Sequence, residues 1–548
     1  MLETIIFFTP ITELIISIYV LGIGLLISPL FFKTDEIKYN LNEISLFGFC
    51  LTLPIVQIIN LIFPIKPLFF YISFVFSLLV LFRLRNQIKK KFFFWLFKLA
   101  FIFIILIPLK YAIKGNEDLY YHLPKIEFIN TFNIILGIAH FDPSLSFTNG
   151  WAYISSAFNF LNGAEKNLYL SSFVFFIFSI LTFYNYLKIT NQNKLQVFLI
   201  LIISFLLLKF YRIQEFGNDY QAIILLFFSQ FLIFQFYLKN GDKKIIINKI
   251  VFYSSFAIFF RIYSLLIIPT LFILFLNREK FLNLINKKLI LILFLSFLIT
   301  SLTSFLNSGC FFMPLKKTCV NKNVASWSYI DKVDQLNLRL KSFNTSYFGY
   351  KNNVKYPLTE QEWVKNFNWA SYHLKSERFI LPLLKTLLIN CLTVFIIIFF
   401  FNKKKFKFEK LNRRNFLFLF LTSSSYFLWM LNTPLLRAGG YSYWTFLILS
   451  TLVLSFNFKE FFFSKKIKKY IIILVTIVLI LNLNRIYKES EKYDTLNPFF
   501  FTEWGKLHHM KYLDKDRLIK LLNENNFNEN IFKLKLDKLK NTWFIISD

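Results

Sequence analysis

Lys288-Leu289-Ile290-Leu291-Ile292-Leu293-Phe294-Leu295-Ser296-Phe297-Leu298-Ile299-Thr300-Ser301-Leu302-Thr303-Ser304-Phe305-Leu306 carries a single charge, at its first position. As a helix rising about 1.5 Å per residue it would come close to the ~30 Å hydrocarbon core of a bilayer. Comparable apolar runs recur almost from end to end, at about 11–32, 45–63, 67–83, 92–112, 167–187, 195–211, 219–238, 248–260, 263–276, 379–401, 415–431, 441–457 and 468–484. The length rule therefore predicts an all-α polytopic membrane protein of about fourteen transmembrane helices.

Composition agrees. The chain has 548 residues, 56% of them hydrophobic, and a formal net charge of +32. Such a chain is neither a soluble enzyme, a fibrous protein nor a long disordered one. The excess of Lys and Arg does not mark a nucleic-acid partner, because it is gathered between apolar runs, at 83–91, 239–249, 278–288, 403–414 and 459–469. That punctuation is the positive-inside pattern, so the lipid bilayer is the expected partner. The N-terminal residues lack a basic stretch and a small-residue cleavage site, and they are read as retained. No internal repeat is evident.

Placing the basic clusters in the cytoplasm leaves 113–166, 212–218, 307–378, 432–440 and 485–548 on the outer side. The runs 248–260 and 263–276 are each too short to span. They are read as a broken or re-entrant hairpin turning near Arg261-Ile262-Tyr263, because both flanking segments are basic.

The first outer segment contains Gly115-Asn116-Glu117-Asp118-Leu119-Tyr120-Tyr121-His122-Leu123-Pro124-Lys125. Two acids and a histidine beside a membrane are costly unless solvated or used. One reading is an interfacial turn, with tyrosine anchors and Lys125 reaching lipid headgroups. The other is a site, since on a helix Asp118, His122 and Lys125 would share one side. This loop resembles the first periplasmic loop of GT-C superfamily glycosyltransferases and their bacterial relatives, which carry an acid followed by a Tyr-His-Leu type motif. The stretch from Gly137 to Trp151 resembles the continuation of that loop, and the resemblance covers roughly 92–240.

The resemblance implies a membrane glycosyltransferase acting on the outer face of a bacterial inner membrane. Its donor would be a polyprenyl-phosphate sugar and its acceptor a glycan or lipid. Asp118 takes the acceptor-activating role, with Glu117 and His122 beside it and Tyr121 and Lys125 on the substrate. A positioned carboxylate suits a weak sugar nucleophile, whose proton it can accept as the new bond forms. Helix counting places a second family acid at Asp219, which also reads as a first-turn acid favoured by the helix dipole. Mg²⁺ or Mn²⁺ could be held by Asp118, Asp219 and His122. The donor phosphate calls for fixed cations, and Arg437 and Arg261 are the candidates. Arg437 lies in Pro434-Leu435-Leu436-Arg437-Ala438-Gly439-Gly440, which resembles a Pro-Asp-x-Arg motif with Leu435 in place of the Asp. Each arginine could equally snorkel to lipid headgroups.

Cys310 and Cys319 share one outer segment with Gly309 and Pro314 to turn the chain, and a disulfide between them is expected. Closing so small a loop contributes roughly 2–3 kcal/mol. Trp327, Trp363 and Trp369 in 307–378 suit either sugar stacking or interface anchoring. The chain divides into additional N-terminal helices (1–91), a GT-C-like module (92–484) and an outer α/β tail (485–548). Two other functions fit the helix count: a lipid-linked oligosaccharide flippase or other transporter, and an O-antigen polymerase or ligase using His373 and Arg378.

Overall fold

A computed structural model describes residues 2–106, 123–140, 143–147, 149–158, 164–209, 219–277, 281–401, 411–432, 434–456 and 466–493. The apolar runs are helices: α1 (Leu2–Leu25), α2 (Leu41–Ile62), α3 (Pro67–Arg83), α4 (Arg85–Ile105), α5 (Leu123–Thr131), α6 (Gly150–Ala157), α7 (Ala164–Ile189), α8 (Asn193–Lys209), α9 (Asp219–Tyr237) and α10 (Lys243–Phe260). After a further helical stretch, Ile262–Asn277 in three short pieces, come α11 (Lys287–Ser308) and the short helices α12 (Val333–Asn344), α13 (Tyr347–Asn353), α14 (Glu360–Val364) and α15 (Ala370–Lys375). The series closes with α16 (Glu377–Phe401), α17 (Arg413–Asn432), α18 (Tyr441–Ser455) and α19 (Lys466–Tyr493).

The expected count of spans is too high for the described residues. Only four helices there are long and apolar enough to cross a membrane, within Leu41–Ile62, Leu170–Ile189, Asp219–Tyr237 and Lys287–Ser308. Length is the reason for several shortfalls. Helices α3 and α8 have 17 residues and α18 has 15. At about 1.5 Å per residue these fall short of a ~30 Å core. Environment separates the four. In α9 89% of the apolar window is buried within the protein, whereas in α11 the figure is 39%, so α11 turns a broad leucine and phenylalanine face outward.

A large core runs through α1, α2, α6 to α10, α17 and α18. Helices α1 and α2 cross at backbone contact. A Cβ on Gly24 would lie 1.8 Å from the Ile44 carbonyl oxygen, and one on Gly48 would lie 1.7 Å from that of Val20. Small residues at a crossing let two backbones approach in this way, which is how helices associate where burial from water provides little drive.

A helix break does fall near 261. Helix α10 stops at Phe260, and Arg261 is extended at φ −151°, ψ 123°. The chain then resumes as a 3₁₀ turn, Ile262–Ile267. The expected α/β tail, 485–548, is not shown. Residues to Tyr493 are the end of α19, residues 494–548 lie outside the described set, and no named strand occurs among the described residues.

Between α11 and α16 the chain builds a small helical cap. Cys310 and Cys319 are disulfide-bonded, as their spacing predicted. Cys310 packs with Ala139, Met313, Tyr329 and Val333, joining the chain around Ala139 to the cap. Trp363 and Trp369 are buried with Tyr347 in the cap's own core, and the Trp363 indole donates to Thr345 Oγ1 at 2.9 Å. Those two tryptophans therefore hold the cap together, and neither sugar stacking nor interface anchoring accounts for them.

Candidate functional site

Helices α9 and α10 are neighbours joined by a short turn, so the start of one meets the end of the other. Asp219 occupies the first turn of α9 and Arg261 follows the last residue of α10. A carboxylate at a helix start and a guanidinium at a helix end each complement the local dipole. The two also meet. Arg261 Nε donates to Asp219 Oδ1 at 2.7 Å, with the side chains 16% and 17% exposed. The pair is thus partly sheltered yet reachable.

Tyr263 closes over the pair, its hydroxyl donating to the Asp219 main-chain oxygen at 3.2 Å. The Tyr443 hydroxyl donates in turn to the Tyr263 carbonyl at 3.2 Å. The segment carrying Arg437 packs on the same tyrosines. Gly439 has φ +88°, and a Cβ there would lie 2.8 Å from Tyr263 Cδ2. Only glycine takes that backbone angle without strain, so Gly439 permits both the turn and the approach. Three regions far apart in sequence, around 219, 261 and 439, thereby form one assembly. The Arg437 side chain itself lies outside the described set.

Lys125 is not a headgroup tether. It is 3% exposed, and its Nζ donates to the Phe147 carbonyl at 2.6 Å. It lines a cavity with Asn60, Asn133, Tyr153 and Asn307, where α2, α5, α6 and α11 come together. Trp151 of α6 meets the Phe260 ring edge-on at 5.5 Å, which connects this cavity to the end of α10 just before Arg261. Glu117, Asp118, Tyr121 and His122 lie outside the described residues. Among the described residues no three His, Cys, Asp or Glu side chains group to hold a metal ion. Asp219, the one predicted ligand among them, already has a guanidinium on Oδ1.

Two histidines fasten the cap. His140 Nε2 is 3.1 Å from the Trp327 carbonyl, and His373 Nε2 is 2.9 Å from that of Pro434. A carbonyl only accepts, so both rings carry the proton on Nε2. Burial pushes both below the ordinary value of 6.5, helped at His140 by Lys332 and Lys322. The unfolded cap therefore takes up protons more readily than the folded one. This stabilisation is complete above about pH 6.5 and is lost as pH falls through the lowered folded values. Amide exchange of cap peptides, corrected for intrinsic rate, should show more opening at pH 5 than at pH 7.5. Equal protection at both would refute it.

A family model described as a domain of unknown function (DUF8201) matches residues 6–444. The chain belongs to the DUF8201 family. No curated protein matches it, and no solved structure does. The match takes in Asp219, Arg261 and Arg437 as well as the first helices, including Gly24 and Gly48.

The same DUF8201 region holds a charged cluster that sequence reading missed. Lys249 Nζ donates to Glu43 Oε2 at 2.8 Å, with the side chains only 6% and 3% exposed. Tyr186 and Tyr253 donate to Glu43 Oε1 at 2.5 and 3.0 Å. Lys249 also lies 4.2 Å from the centre of the Phe32 ring. In the sequence Lys249 was one more member of a basic cluster. The available signal was Glu43, a lone acid at the head of an apolar run.

Proposed function

We propose that this DUF8201 protein is a membrane glycosyltransferase. It moves a sugar from a polyprenyl-phosphate donor to a lipid-linked glycan or other envelope acceptor, on the outer face of a bacterial inner membrane. The observation that supports this most is the Asp219–Arg261 pair, set at meeting helix ends beneath the turn that carries Arg437. A phosphate needs fixed cations, and arginine can grip two of its oxygens at once. In this reading Asp118 accepts the acceptor hydroxyl's proton while that oxygen bonds to the anomeric carbon. The bond from that carbon to the phosphate oxygen breaks, and Arg261 and Arg437 take up the charge left on the phosphate.

Binding can be tested without knowing the sugar. The purified protein in detergent should bind undecaprenyl phosphate at least about tenfold more tightly than undecaprenol, since a charge-assisted phosphate contact contributes about 1.5–3 kcal/mol. Arg261→Gln should remove most of that preference. A wild-type protein that does not distinguish the two lipids would sink the donor assignment.

A further inference from the structure

We infer that His373 is a positioning residue: through the Pro434 carbonyl it sets the Arg437 turn against the Asp219–Arg261 pair. This rests on the donor-site reading just given. His373 is 1% exposed, near the end of α15 in the cap. Its ring lies between two elements that have no covalent reason to stay together. On one side Nε2 donates to the Pro434 carbonyl at 2.9 Å. On the other Nδ1, carrying no proton, accepts from the Ser346 hydroxyl at 3.0 Å. Aromatic neighbours fix the ring plane, with Phe379 at 4.9 Å and Trp369 edge-on at 5.7 Å.

Ser346 is itself held at a cost. Its φ is +64°, the left-handed region that residues with a side chain seldom occupy. Such an angle persists only where surrounding contacts over-determine it. The contact it delivers is the one that leaves Nε2 as the proton-bearing nitrogen, aimed at Pro434. From Pro434 the chain runs directly into the turn Leu436–Gly440, whose Gly439 rests on Tyr263 over Asp219. A displaced Pro434 would carry the Arg437 backbone with it, whereas the Asp219–Arg261 pair is anchored separately by α9 and α10.

The test uses the full-length protein in detergent. His373→Phe keeps a ring in the space but removes both nitrogens; His373→Gln offers an amide N–H to Pro434 and an amide oxygen to Ser346. With His373→Phe, amide exchange across 434–440 should rise about five- to tenfold, as for one lost hydrogen bond. Affinity for undecaprenyl phosphate should fall about tenfold, with that for undecaprenol unchanged. His373→Gln should restore both. Ser346→Ala, which leaves the ring in place, should give an intermediate effect and serves if the Phe variant does not fold. Unchanged exchange across 434–440 in both Phe and Ala variants would overturn the positioning role, whatever the lipid result. Faster exchange with unaltered phosphate affinity would overturn the link from this turn to the donor. Failure of the wild type itself to prefer the phosphate would instead count against the donor reading, and the exchange result would still decide whether His373 holds the turn.

Discussion

Replacing Lys249 by Met is expected to destabilise the protein by about 3–5 kcal/mol, the usual cost of stripping one partner from a buried ion pair. Methionine fills most of the space of the lysine stem, so the loss comes from charge and not from a cavity. Glu43 would remain buried, 2% exposed, with only two tyrosine hydroxyls to answer its charge. Glu43→Gln should cost a similar amount by leaving the ammonium unpaired. The double variant should recover most of the loss, because two neutral side chains of similar shape carry no uncompensated charge. Unfolding of the purified proteins in one detergent measures all three. Single variants within about 1 kcal/mol of wild type would show that the pair is solvated after all.

Sugar transfer should fall by roughly two orders of magnitude or more in Asp118→Asn, given the ~10²–10⁴-fold contribution of a general base. The amide keeps the size and much of the hydrogen bonding of the acid while removing the proton acceptor. Affinity for undecaprenyl phosphate should persist, since the donor is assigned to the arginines. Transfer in membranes normalised to protein amount decides it. Wild-type turnover would return the loop to the interfacial-turn reading, in which Asp118 is only a solvated acid.

The helices were legible in the sequence because apolar runs and basic breaks report local structure, and the stop at Arg261 followed from two runs too short to span. The Cys310–Cys319 bond followed from close spacing, from Gly309 and Pro314 to turn the chain, and from the oxidising side assigned to that segment. Whether a helix also crosses a membrane was less legible, since it depends on where the helix ends, and α3, α8 and α18 end early. Glu43 and Lys249 stand 206 residues apart, and no local pattern announces that they meet. Arg261 and Asp219 were each picked out on their own, one for a phosphate and one as a second family acid. Their mutual contact is a product of antiparallel packing. Trp363 and Trp369 misled for the opposite reason: a tryptophan in a polar loop looks available until the loop is seen to have a core.

The crossing of α1 and α2 fixes a rotational phase. Each residue added to or removed from a helix rotates the remainder of that helix by about 100°. Gly24 and Gly48 each sit under the other helix's carbonyl, where a methyl group would have less than 2 Å of room. A one-residue insertion within α1 between Gly24 and the next fixed contact would swing the glycine aside and present a side chain to that carbonyl. Helix α1 therefore behaves as a keyed part, and its interior tolerates changes of side chain far better than changes of register.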